Sequence, residues 1–247
     1  MGDDAVYHVW FELRAGYARF GGDYGPLTKI SSLGKVDGVP LGIAMTDSGN
    51  VWIAERNANA VAYVTRDDRK GVVTLADQEF KPVLAEADGH GGAYLAGAEH
   101  GKILAVDGRG HVRAYALPAR DSHISSVVRG LDGTVWVAEY DADKIVAIDR
   151  TGRMTEYAVP TPNAGPVSLS VDRRGVVWFV EYDGQKIGRI DPDGTMKDAY
   201  LPLGVGTPVY LVAAPNNILV VIGYTKGLFN TSVSWAIARI PESTAAL

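Results

Sequence analysis

The stretch Val176-Val-Trp-Phe-Val180 follows the polar turn Asp172-Arg-Arg-Gly175. Five consecutive β-branched or aromatic residues behind a turn read as a short strand buried on both faces. Its tryptophan belongs to a series. Trp10, Trp52, Tyr94, Trp136 and Trp178 stand 42 residues apart, and the next step lands on Val220 in the apolar run 218–222. Gly49, Gly91, Gly133 and Gly175, then Asn217, lie three residues ahead of the large residue, where a hairpin needs a residue tolerant of positive φ. Pro40, Pro82, Pro166 and Pro208 mark the entry to each copy, with Ile124 in place of the proline once. Three markers in one register define a repeated structural unit.

Within one copy, 166–171 reads as a first strand, 176–180 as a second, 187–190 as a third and 196–201 as a fourth, with Asp191-Pro-Asp-Gly194 as a turn. Four short strands per 42 residues without helical periodicity predict an all-β fold, a six-bladed β-propeller of four-stranded antiparallel blades in a single domain, 1–247. The large residue of each second strand is expected to pack between blades. The first copy begins near its second strand, at 6–11, and the last carries about eight extra residues around 223–234. Closure is expected to come from terminal segments completing a shared blade, which removes exposed strand edges. Which segment does so stays open in the sequence.

Charged residues make up 21% and apolar residues 47% of the 247, which excludes a disordered chain. A net charge of −5 without a Lys/Arg cluster argues against a nucleic-acid partner. With no cysteine there is no disulfide, thiolate metal site or cysteine nucleophile. The acidic start Met1-Gly2-Asp3-Asp4 precedes no apolar signal segment, and no 18-residue apolar run is present. A cytoplasmic monomer without membrane contact is expected.

The texts Val135-Trp-Val-Ala-Glu-Tyr, Trp178-Phe-Val-Glu181, Lys186-Ile-Gly-Arg-Ile190 and Glu156-Tyr-Ala-Val-Pro-Thr-Pro162 resemble the blade motif of the streptogramin (virginiamycin B) lyase family. The resemblance spans nearly the whole chain and is strongest over 131–202. It implies a seven-bladed enzyme, against six copies here, that opens a cyclic depsipeptide by magnesium-assisted elimination. The family's catalytic histidines follow the entry proline. The equivalent positions here are Leu41, Val83, Ser125, Val167 and Val209. A family glutamate two residues before one of those histidines maps to Val39, Lys81, His123, Gly165 and Thr207. A further glutamate, four residues after the blade tryptophan, maps to Arg14, Arg56, Ala98, Tyr140, Tyr182 and Tyr224.

These positions share one propeller face and are expected to line one cavity. Leu41, Val83, Val167 and Val209 would form an apolar floor, with Ser125 beside them and Arg14, Arg56, Tyr140, Tyr182, Tyr224 and His123 above. Arginine suits an enolate or carboxylate oxygen, tyrosine a carbonyl, and histidine proton transfer near neutral pH. His123 stands where its copies have none, and Glu99-His100 replaces the usual Asp-Ala. The catalytic set is therefore expected to be His123, Arg56, Tyr140, Tyr182 and Glu99. Arg14, Leu41, Val83, His100, Ser125, Val167, Val209, Tyr224 and Phe229 are expected to contact substrate, with Leu228 and Phe229 in a lid hinged at Gly223 and Gly227. Glu55, Glu139 and Glu181 recur with the blade and are expected to accept hydrogen bonds from loop amides.

This points to a lyase, cyclase or isomerase acting on a largely apolar natural product, without a metal site or cofactor. One alternative is a non-catalytic propeller binding a ligand or protein loop. Another is a streptogramin lyase with relocated residues, the one case in which magnesium enters.

Overall fold

The computed structural model describes residues 9–13, 16–20, 29–31, 40–67, 69–97, 101–200, 207–214, 217–225 and 233–241, with side chains for 41–67, 69–97, 101–200, 207–214, 218–222 and 237–240. Blade 1 comprises β1 (Val9–Leu13), β2 (Gly16–Phe20) and β3 (Lys29–Ser31). Blade 2 comprises β4 (Pro40–Met45), β5 (Val51–Glu55), β6 (Ala60–Val64) and β7 (Lys70–Thr74). Blade 3 follows with β8 (Pro82–Ala87), β9 (Ala93–Gly97), β10 (Lys102–Val106) and β11 (Val112–Ala116). Blade 4 is β12 (Ile124–Arg129), β13 (Val135–Glu139), β14 (Lys144–Ile148) and β15 (Met154–Ala158). Blade 5 is β16 (Pro166–Val171), β17 (Val177–Glu181), β18 (Lys186–Ile190) and β19 (Met196–Tyr200). Blade 6 holds β20 (Thr207–Ala214), β21 (Asn217–Thr225) and β22 (Val233–Pro241).

Every pairing is antiparallel between strands adjacent in sequence. The described residues form six antiparallel sheets, four of them four-stranded, in agreement with the all-β, six-bladed propeller expected from the 42-residue period. Among the described residues, blade 1 has the second to fourth strands of a blade and blade 6 the first to third. The segments that would complete them lie outside the described residues.

The strand pattern explains the layering. The second strands β5 and β17 are buried at every position, because they lie between neighbouring blades on both faces. The fourth strands β7 and β11 are mostly exposed, as a rim position dictates. The cores run between blades. Trp52 packs with Phe80, Leu95 and Leu104 of blade 3, and Trp178 with Leu211, Val220 and Ile222 of blade 6. Trp136 lies against the cluster holding Val177 and Phe179 of blade 5. The 42-residue aromatic series is an inter-blade packing series, as its spacing implies. Glycines 49, 91, 133 and 175 all have positive φ, between 81° and 97°, in the first hairpin of their blades.

The first strands β4, β8, β12, β16 and β20 stand side by side in that order and form the inner wall. Their unpaired edges are satisfied by side chains of the preceding blade. Ser126 Oγ accepts the Leu169 amide at 2.9 Å, and Ser168 and Ser170 accept the amides of Leu211 and Ala213 at 3.0 Å. Each inner strand also carries a register shift after its entry residue. The extra residue is Leu41, Val83, Ser125 and Val209 in blades 2, 3, 4 and 6, and the shift falls at 168–169 in blade 5. Bulges of this kind re-aim side chains beside binding sites.

Candidate active site

In antiparallel blades, the turn between second and third strands and the loop entering the blade emerge at the same end. A repeated clamp joins them. Asn59 has φ 46° in the β5–β6 turn, and its side-chain amide donates to Leu75 O and Asp77 O while its Oδ1 accepts the Lys81 amide at 2.9 Å. Asp143, with φ 51°, accepts the Gly165 amide through Oδ1 at 3.0 Å. The turns of blades 2 and 4 thus hold the entry loops of blades 3 and 5 by backbone-directed hydrogen bonds.

On it, the turn 140–143 and the loops 117–124 and 159–166 build a cluster. The Tyr140 amide donates to His123 O at 2.9 Å, and the His123 amide donates to Asp141 Oδ2 at 3.1 Å. Their rings stand 6.1 Å apart, tilted by 56°. Tyr140 reaches across to blade 5, where its hydroxyl donates to Asp183 Oδ2 at 2.5 Å. That hydrogen bond to a carboxylate pushes the phenol up to about 12, with lesser help from burial and the Asp183 charge. Gly165 makes the bond possible. Its φ is 55°, and a Cβ there would lie 2.5 Å from Asp183 Oδ2 and 2.8 Å from Tyr140 Cε2.

The other expected site residues distribute as follows. Tyr182 is exposed in the turn equivalent to Tyr140's, and its amide donates to Gly165 O at 3.0 Å. Arg56 is exposed at the same end and makes no ion pair among the described residues. Leu41 is 46% exposed, whereas Val83, Val167 and Val209 are partly buried. Ser125 turns its hydroxyl to Pro166 O at 2.6 Å, so it ties blade 4 to the entry of blade 5. Arg14, Glu99, His100, Leu228 and Phe229 lie outside the described residues, and Tyr224 falls in β21 without a described side chain.

The recurring glutamates differ from expectation. Glu139 and Glu181 are fully buried, yet neither accepts a loop amide. Both Glu139 carboxyl oxygens lack a hydrogen-bond partner among the described residues. Burial, then repulsion from Glu156, pushes Glu139 up to about 7 against the pull of Lys144. Burial raises Glu181 as well. The loop amides are taken instead by Asn59, Asp141 and Asp143, which sit in the turns themselves. Sequence reading missed Asp183. Asp183 repeats Asp141 of the blade before, so nothing in the period set it apart.

A magnesium ion, which the resemblance implies, needs several oxygen ligands. Among the described residues no three His, Asp or Glu side chains form such a group. Asp183 already accepts the Tyr140 proton and Asp141 the His123 amide. The described residues do not fit that ion. No helix of the described residues is long and apolar enough to cross a membrane.

Inner strands standing side by side, each opening an antiparallel blade, with loops clamped at one end, define the chain as a β-propeller. The virginiamycin B lyase family model matches residues 18–226, and the chain belongs to that family. A virginiamycin B lyase of Nocardia farcinica is 36% identical over 101 residues, a stretch that spans 40% of this chain and 36% of that relative. A solved streptogramin B lyase superposes with a TM-score of 0.78 at 22% identity, covering 95% of this chain and 79% of the other. A catalytically inactive histidine-to-alanine virginiamycin B lyase from Staphylococcus aureus, solved with quinupristin, gives a TM-score of 0.76 at 23% identity over 86% of this chain and 73% of that one.

Proposed function

We propose that the protein is a lyase, cyclase or isomerase that moves a proton on a largely apolar small molecule at the clamped end of the propeller. The observation that carries this is the His123–Tyr140–Asp183 cluster, in which a base, a phenol and a carboxylate from two blades are held together by the 2.5 Å bond and the shared backbone contacts. His123 takes the proton. Tyr140 stays protonated with its one hydrogen given to Asp183, so it is neither a base nor a proton donor to substrate; it orients the site beside the His123 ring and offers its oxygen only as an acceptor. Arg56 and Tyr182, exposed at the same end, supply positive and polar groups for developing negative charge. No step passes through a metal.

A second reading, a ligand-binding propeller without turnover, is favoured by one fact: the Tyr140 proton is already committed to Asp183. Quinupristin, bound by the S. aureus relative, is the probe that separates the readings. Elimination or isomerisation leaves the product mass unchanged, whereas hydrolysis adds a water. Turnover should survive chelation, and His123→Ala should lower kcat about 100-fold with little change in KM. Binding without conversion selects the second reading. Hydrolysis, or full activity in His123→Ala, sinks the first.

A further inference from the structure

At the opposite end of the blades, the first and third hairpins of blades 4 and 5 enclose a cleft of about 500 Å³. Its floor is Trp136, whose ring meets Tyr157 at 5.4 Å. The repeat shows why a cleft opens here. In blade 5 the Trp178 indole N–H donates to Asp172 at 3.1 Å and Arg189 lies 5.8 Å over the ring. One repeat earlier, Gly130 stands in place of Asp172 and Ala147 in place of Arg189, and both line the cleft. In blade 2 the Trp52 N–H donates to Gly91 O of the next blade at 3.0 Å, and Tyr63 stacks on it at 5.2 Å. Gly175, the equivalent of Gly91, lines the cleft instead. The Trp136 indole N–H has no hydrogen-bond partner among the described residues, so an aromatic face and an indole donor are both presented to the cleft.

The charges on the walls are unequally committed. Asp132 accepts from the Thr134 amide and hydroxyl, at 3.0 and 2.7 Å. Asp149 Oδ1 holds the amides of Thr151 and Arg153, and Asp191 faces Arg189 at 3.2 Å. Arg174 is paired with Asp172 at 2.7 Å. Arg153 and Arg173 line the same cleft and make no ion pair among the described residues. An aromatic platform, an open N–H donor and two uncommitted guanidinium groups suit one chemistry.

We infer that this cleft is a second binding site, separate from the Tyr140 cluster, for a planar aromatic small molecule carrying one anionic group. The ring lies on Trp136 and Tyr157, and the anion meets Arg153 and Arg173. Calorimetry on the full chain tests it with 2-naphthoate and its neutral counterpart 2-naphthamide. Naphthoate should bind one to one and at least about tenfold tighter than the amide. Gly130→Asp and Ala147→Arg each rebuild the blade 5 arrangement and should abolish binding. The Arg153→Gln/Arg173→Gln pair should remove the preference for the anion while leaving weak binding, and His123→Ala should change nothing. The site is refuted if wild type gives no heat, if both probes bind equally, or if His123→Ala abolishes binding. It is equally refuted if Gly130→Asp or Ala147→Arg binds like wild type with an unchanged circular dichroism spectrum.

Discussion

Blades 4 and 5 share a sequence pattern, a strand register and a turn chemistry, yet their tryptophans lead different lives. Trp178 is fully buried, hydrogen-bonded and covered by Arg189, whereas Trp136 is partly exposed and among the described residues has neither an indole N–H partner nor a cationic cover. Two small residues, Gly130 and Ala147, make the difference. A repeat fold can turn a core position into a ligand-facing one without altering its backbone. Sites are then found where one copy departs from the next.

The comparison can be broken by truncation. Trp178→Ala should cost about 3–5 kcal/mol of stability, and Trp136→Ala no more than about half of that, read from denaturant midpoints. Equal losses would mean that the two rings are equivalently packed. Glu139 offers a pH-dependent version. Its folded pKa of about 7 exceeds the ordinary 4.5, so the native state holds a proton that the unfolded chain releases. Stability should be intact below about pH 4.5 and fall by roughly 1–3 kcal/mol as pH rises towards 7 and beyond. Glu139→Gln should flatten that slope; a Gln variant with the wild-type slope would locate the titration elsewhere.

Asp172→Ala removes the acceptor of the Trp178 N–H and of the Val176 amide, and about 1–3 kcal/mol should be lost. The matching Gly130→Ala has no such bond to break; its Cβ would only press Asp132 Oδ1 at 2.9 Å, and the loss should stay below that of Asp172→Ala, at no more than about 1 kcal/mol. The smallest contrast lies in the rim ion pairs. Lys144–Glu156 has side chains 34% and 37% exposed, and Lys186–Asp198 has 16% and 14%. Lys144→Met should cost at most about 1 kcal/mol, and Lys186→Met should cost more.

Much of this architecture was written in the period. The strands expected at 166–171 and 196–201 form as Pro166–Val171 and Met196–Tyr200, and the glycine of each first hairpin adopts positive φ. Such features depend on one blade alone, so one copy suffices to read them. Contacts between blades are different in kind. The reach of Tyr140 to Asp183 spans 43 residues, and so do the serine contacts of the inner wall. A one-residue offset from the period comes from how neighbouring blades are staggered, which no single blade encodes. The same limit hid the fate of Glu139, because burial without a partner is a property of the seam with its neighbours.

The serine contacts have a use of their own. The amides of Leu169, Leu211 and Ala213 are held by hydroxyls belonging to the preceding blade. Their exchange with solvent deuterium therefore clocks the parting of two blades, while strand amides at the heart of a sheet clock its dissolution. Three natural gauges are built into the seams on either side of blade 5, and the ratio of the two rates reads how far the propeller behaves as separate leaves.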